Sequence, residues 1–113
     1  MKFHPLSLDN ACLITLPKEM IMAQTPTMRA AIARQIETGS NKLVMDLHQV
    51  EYIDSSGLSI LVSAHKLTQQ RSGEVILLSP SAGVRALIEL TRLHHIFTIF
   101  EDKDAAIEHI CAQ

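Results

Sequence analysis

Apolar residues along the chain occur in two arrangements, short continuous runs and longer stretches where they recur every three or four positions. The alternation of the two predicts strands separated by helices. Lys42 to His48 is the clearest run, with Leu43, Val44, Met45 and Leu47 interrupted only by Asp46, as in a strand buried on both faces of an α/β sheet. Glu74 to Leu78 repeats that character, and a last strand is expected at Ile96 to Phe100. The opening reads as two shorter strands, around Lys2 to Ser7 and Ala11 to Leu16, with Leu8-Asp9-Asn10 as the turn between them.

Helical spacing fills the gaps. Thr25-Pro26 predicts a helix start with Thr25 as N-cap, and Met28, Ala31, Ile32 and Ile36 share one face until Gly39. A second helix is expected from about Ser56 to Arg71, where Ile60, Leu61, Ala64 and Leu67 repeat and Ser72-Gly73 supplies the stop. Ser79-Pro80 repeats the cap-then-proline start for a third, with Val84, Leu87, Ile88 and Thr91 on its inner face and an end near Arg92. Asp102 to Ile110 closes the chain as a fourth. These elements predict an α/β fold in one domain over residues 1–113, with a mixed, mostly parallel sheet of about five strands and about four helices. Crossovers should be right-handed and the N-terminal pair an antiparallel addition.

The strand at Lys42 to His48 leads into a polar step, Tyr52-Ile53-Asp54-Ser55-Ser56-Gly57-Leu58, ahead of the second helix. Two hydroxyls beside a carboxylate match a helix N-terminus, where free backbone N–H groups take oxygen acceptors. Such hydroxyls are also open to a kinase, and a phosphate there would meet the positive end of the helix dipole. The plain alternative is an ordinary helix cap, with Gly57 permitting a close backbone approach. Met20, Ile21 and Met22 read as core filling in preference to a partner surface.

With 113 residues, 47% hydrophobic and 19% charged, the chain is of a size and composition to build one ordinary core. A formal net charge of −2, with one Tyr, three Phe and no Trp, leaves neither a basic footprint nor stacking platforms, so no nucleic-acid partner is expected. No apolar run approaches the ~18 residues of a membrane span, and Met1-Lys2-Phe3-His4-Pro5 lacks a signal-peptide core. No membrane insertion and a cytoplasmic location are the expectations. Cys12 and Cys111 lie near opposite ends without CxxC spacing and read as reduced, structural thiols.

Metal and catalytic chemistry find little support. His4, His48, His65, His94, His95 and His109 form no ligand-pair spacing, and adjacent His94 and His95 are expected to point apart, near the end of the third helix where imidazoles suit its carbonyls. Gly39, Gly57, Gly73 and Gly83 cannot be written into GxGxxG or GxxxxGK, so no cofactor is expected and any ATP belongs to a partner. Ser55 and Ser56 lie at a strand-to-helix turn without the GxSxG of a nucleophile elbow. The chain reads as a target of modification, not an enzyme.

The block Leu43-Val44-Met45-Asp46-Leu47 through Val50-Glu51-Tyr52-Ile53-Asp54-Ser55-Ser56-Gly57-Leu58 resembles the STAS domain family, and within it the stand-alone bacterial anti-sigma factor antagonists. The resemblance continues through Arg71-Ser72-Gly73-Glu74-Val75, Leu78-Ser79-Pro80-Ser81, Val84-Arg85-Ala86-Leu87 and Thr91-Arg92-Leu93. Where many members carry a Gly-Glu-Leu-Asp-like turn after the second strand, this chain has Pro17-Lys18-Glu19-Met20-Ile21-Met22. The resemblance implies a partner switch. The unmodified form would bind a serine kinase of the histidine-kinase-like ATPase fold that is also an anti-sigma factor or similar regulator. Phosphorylation of Ser55, with Ser56 as the fallback acceptor, would end that binding, and a PP2C-type phosphatase would restore it. Asp54, Ser55, Ser56, Gly57 and Leu58 form the implied partner-binding segment, with Asp54 orienting the acceptor or the incoming kinase and Gly57-Leu58 docking closely against the partner. Two rival readings are a regulatory STAS subunit of an ABC lipid-transport complex, docked permanently, and a small-molecule site holding a ligand phosphate at the helix N-terminus.

Overall fold

The buried strands send successive side chains to opposite faces of the sheet, and different helices cover the two faces. The computed structural model describes residues 1–112. In these residues the main sheet has five strands in the order β1-β2-β4-β6-β7, formed by β1 (Lys2–Pro5), β2 (Ala11–Thr15), β4 (Lys42–Asp46), β6 (Glu74–Leu78) and β7 (Thr98–Phe100). β1 is antiparallel to β2 and every other pairing is parallel, in agreement with the expected mixed sheet. Cys12, Ile14, Leu43, Met45, Val75 and Leu77 face one way, against α1 (Thr25–Glu37), α2 (Ser55–Gln69) and α3 (Ala82–Leu90). Their neighbours Leu13, Val44, Ile76 and Leu78 face the other way and are covered by Ala106 and Ile110 of α4 (Lys103–Cys111).

One pairing had no strong sequence signal. β3 (Glu19–Met20) and β5 (Tyr52–Ile53) form a separate two-residue parallel ladder, with Glu19 opposite Tyr52 and Met20 opposite Ile53. The Lys18 carbonyl accepts from the N–H groups of Glu51 and Tyr52 at 2.8 and 3.1 Å, and the Met20 carbonyl from Asp54 N at 3.3 Å. This ladder holds the chain leaving β2 beside the chain entering α2.

Several expected boundaries shift for identifiable reasons. Thr25 is already helical and is not the N-cap; that position is Gln24, which makes no side-chain cap bond, while the Thr25 hydroxyl donates to the Met22 carbonyl at 3.1 Å. Ser79 does not start α3, because its N–H and hydroxyl donate to the carbonyls of Phe100 and Glu101 and tie it to the neighbouring strand. The cap is Ser81, whose hydroxyl accepts from Val84 N at 3.3 Å, and Thr91 lies exposed beyond the helix. The fourth strand ends at Asp46, short of the expected His48, because the Asp46 carboxylate accepts from His48 N at 3.1 Å and turns the chain. A left-handed Arg92 and a 3₁₀ turn (Leu93–His95) delay the last strand from Ile96 to Thr98. At the end of α2 the left-handed residue is Ser72, at φ 56°. Gly73 serves a different need, since a Cβ there would lie 1.9 Å from the Asn41 carbonyl oxygen.

Candidate functional site

Asp54 leaves β5 in an extended conformation and becomes the N-cap of α2, its Oδ1 accepting from Gly57 N at 3.0 Å. An aspartate before two serines has the shortest carboxylate that can reach back to the third helical N–H. Its second oxygen, Oδ2, accepts from Met22 N at 3.0 Å. The side chain therefore does more than cap: it fastens the segment between β3 and α1 to the first turn of α2. The Gly57 N–H, aided by those of Met22 and Ser56, holds the Asp54 carboxyl below the ordinary carboxylate range.

With the carboxylate serving as cap, the serine hydroxyls are left over. Ser55 is the first residue of α2 and exposed, Ser56 is half-buried, and neither hydroxyl has a hydrogen-bond partner among the described residues. Gly57 and Leu58 are turned inward. A Cβ on Gly57 would lie 2.2 Å from the Met20 carbonyl oxygen and 2.7 Å from Ile53 Cγ1, so the first turn of α2 rests directly on the β3–β5 ladder. Leu58 is buried among the core residues. The five residues singled out in the sequence thus divide into an outward pair, Ser55 and Ser56, an inward pair, Gly57 and Leu58, and Asp54 as the clamp between them.

Met20, Ile21 and Met22 are not uniformly core. Met20 is fully buried, whereas Met22 is 71% exposed, because the bond from its N–H to Asp54 holds the chain at the surface. Tyr52, at 58% exposure, is the other large uncovered apolar side chain of this region. Beside Ser55 a groove of about 430 Å³ runs along α2 toward Thr91 and Leu93, past Arg29 of α1. Arg29 donates from Nη1 to Ser63 Oγ and from Nη2 to Ser59 Oγ, both at 2.7 Å. Nothing in the spacing of a lone arginine on an exposed helix face singled it out; the signal was the serine row at positions 55, 59 and 63, which puts three hydroxyls on one side of α2.

Elsewhere, a polar hollow of about 280 Å³ includes Asp46, His48, Ser79 and Lys103. Asp46 holds His48 Nδ1 at 2.8 Å, but the Ser79 hydroxyl is engaged by the Glu101 carbonyl, so no activated serine is assembled there. His94 and His95 do not point apart as expected, for the tight 3₁₀ turn brings their ring centroids to 4.2 Å. No group of three or more His, Cys, Asp or Glu side chains among the described residues could hold a metal ion. No helix among them is long and apolar enough to cross a membrane.

A mixed, mostly parallel five-strand sheet with four helices, three on one face and one on the other, is the arrangement of a STAS domain. The family model described as STAS domain matches residues 6–106, and the chain belongs to that family. Among its relatives is BtrV of Bordetella bronchiseptica, assigned by name as an anti-sigma factor antagonist, 27% identical over 106 residues that make up 94% of this chain and 91% of the relative. The anti-sigma factor antagonist SpoIIAA in its unphosphorylated form superposes with a TM-score of 0.86 at 20% identity, covering 99% of this chain and 96% of that one. The Bacillus cell fate determinant SpoIIAA in its phosphorylated form gives 0.78 at 19% identity, over 96% and 97%.

Proposed function

We propose that this chain is an anti-sigma factor antagonist-type switch that binds a regulator in its unmodified form and is released when Ser55 is phosphorylated. The observation that carries the reading is the division of labour at the start of α2. Asp54 fills the capping role, which leaves the Ser55 hydroxyl exposed and without a partner at the first helical position. The names of the relatives support the same reading, as does the existence of SpoIIAA in two phosphorylation states. In the transfer step a partner kinase of the histidine-kinase-like ATPase fold supplies the γ-phosphoryl of ATP. The bond to ADP breaks, a P–O bond to Ser55 Oγ forms, and the hydroxyl proton passes to a base on the kinase. A PP2C-type phosphatase hydrolyses that bond and returns inorganic phosphate. The binding face on this reading comprises Ser55, Ser56 and the exposed Met22 and Tyr52, with the chain working in the cytoplasm as substrate and not as enzyme.

A phosphate adds about −1.5 to −2 charges to a surface that already carries Asp54. That surface must be desolvated to bind the regulator, and one like-charge contact with the regulator at about 4 Å and an effective dielectric near 20 costs on the order of 4 kcal/mol, so even after relaxation and screening the affinity should fall at least ~10-fold. The test is incubation with the cognate kinase and ATP, followed by mass spectrometry, phosphopeptide mapping and partner titration. One phosphate on Ser55 with loss of binding is expected, and Ser55→Ala should bind without being modified. Modification of Ser56 alone would overturn the residue assignment, and undiminished binding by the fully phosphorylated protein would overturn the switch.

A further inference from the structure

The groove beside Ser55 has an unbalanced charge. Arg29 and Lys66 line it, no carboxylate does, and neither cation takes part in an ion pair among the described residues. Lys66 lies 11 residues along α2 from Ser55, roughly 16 Å at the helical rise, which is out of reach. Arg29 is near. Its two terminal nitrogens are spread over Ser59 and Ser63, neutral hydroxyls that accept a guanidinium fork without neutralising it. Ser55 continues the same row one turn, about 5.4 Å, toward the start of α2.

We infer that Arg29 is the receiving arm for a phosphate on Ser55, leaving Ser59 and Ser63 to close as a fork on the phosphoryl oxygens. This inference rests on Ser55 being the modified residue. The bonds to Ser59 and Ser63 have charge on the donor alone, whereas a guanidinium–phosphate pair has opposite charges on both sides and takes the fork bidentately, so the exchange runs toward the phosphate. The Ser59 hydroxyl already donates to the Ser56 carbonyl at 2.6 Å and keeps that bond when Arg29 leaves. The groups that face the phosphate are then Arg29 from α1 and Asp54 from the N-cap, of opposite sign. Arg29 offsets the repulsion from Asp54, and modification acquires a second consequence, because α1 becomes tied to the start of α2 through a bond that the unmodified protein lacks.

The test uses protein with phosphoserine installed at position 55 during synthesis, which removes any need for a kinase. Phosphorus NMR then follows the second ionisation of the phosphate, ordinarily near pH 6. Arg29 should place that transition about one unit below its position in Arg29→Ala. Arg29→Lys, which keeps the charge but not the fork, should fall between. A structural role alone would not move this titration, and melting of the unphosphorylated variants reports separately on any loss of the Ser59 and Ser63 bonds. Coincident titrations in Arg29 and Arg29→Ala proteins would overturn the inference, even if kinase mapping had placed the modification on Ser55. A kinase that marks only Ser56 would instead overturn the assignment of Ser55 and leave the installed-phosphoserine result standing.

Discussion

Gly57→Ala adds one methyl group to the first turn of α2, and two effects of opposite sign compete. Alanine is the better helix former by up to about 1 kcal/mol, which alone would stabilise the protein. Against this, the new Cβ would lie 2.2 Å from the Met20 carbonyl oxygen and 2.9 Å from Met20 Cβ, where ordinary contacts begin near 3.4 Å. Relief requires more than 1 Å of movement at the oxygen. That carbonyl is backbone, paired to Asp54 N at 3.3 Å, and its own side chain is fully buried, so moving it drags a core methionine and loosens the β3–β5 ladder.

Overpacking of this kind costs about 1–3 kcal/mol and more when the obstacle is rigid. The steric effect wins, by about 2 kcal/mol net, and for a chain of 113 residues that is a fall in Tm of about 8 °C. Gly83→Ala is the matched control: the residue is also in the first turn of a helix, but nothing lies within 4 Å of the added Cβ. Only the propensity effect remains there, and Tm should rise by about 2–4 °C. Both variants are followed by far-UV circular dichroism during heating. A Gly57→Ala protein that melts at or above the wild type, while Gly83→Ala behaves as stated, would falsify the close approach of α2 to β3.

Other expectations follow from single features. Because the folded-state pKa of Asp54 is depressed, its carboxylate contributes stability that is fully present above the unfolded value of about 3.9 and is lost as pH falls through the folded value. Asp54→Asn should melt lower at neutral pH and lack that acid-side decline; parallel pH–Tm curves for the two proteins would remove the clamp as its cause. Burial pushes the Cys12 thiol up, so at pH 8 a thiol reagent should modify half-buried Cys111 rapidly and Cys12 only on unfolding, and equal rates would contradict the core placement. Ser72 holds a left-handed backbone at φ 56° on an exposed turn, so Ser72→Gly should raise stability by about 1 kcal/mol in urea titration, with no gain if that turn relaxes at no cost.

The parts of this fold legible in the sequence are those where one physical signal dominates. The run Leu43, Val44, Met45 and Leu47 reads as a strand covered on both faces, and β4 is one as far as Asp46. The spacing of Ile60, Leu61 and Ala64 placed α2 within two residues of its observed ends. Glu19–Met20 carried no such signal, because a two-residue strand has no period to read and exists through its pairing with Tyr52–Ile53. The caps were misplaced where two candidates stood close together. Ser79 and Ser81 both flank Pro80, and the choice depends on which backbone groups the neighbouring strand claims, a tertiary fact. At the candidate site the open hydroxyls and the close backbone approach at Gly57 were legible in Asp-Ser-Ser-Gly, but not the clamp by which Asp54 Oδ2 takes Met22 N, a contact across 32 residues.

The division of labour at the start of α2 separates what the fold needs from what a switch needs. Gly57 accepts an added atom only at a cost to the packing beneath it, whereas Ser55, two residues earlier on the same helix turn, contributes no hydrogen bond from its side chain and covers no core. Removing its hydroxyl takes away no described contact, and alanine is as good a helix former as any residue. Ser55→Ala should therefore leave stability within about 0.5 kcal/mol of the wild type, as for a surface substitution away from caps and packing. Ser55→Asp adds a charge beside Asp54 but also faces the positive end of the α2 dipole, and these partly cancel. Its Tm should change little while partner affinity falls. Residues placed in this way let the surface be rewritten without rewriting the fold. If Ser55→Ala instead lost several kcal/mol in denaturant titration, the hydroxyl would be structural, and the free acceptor on which the switch reading depends would not exist.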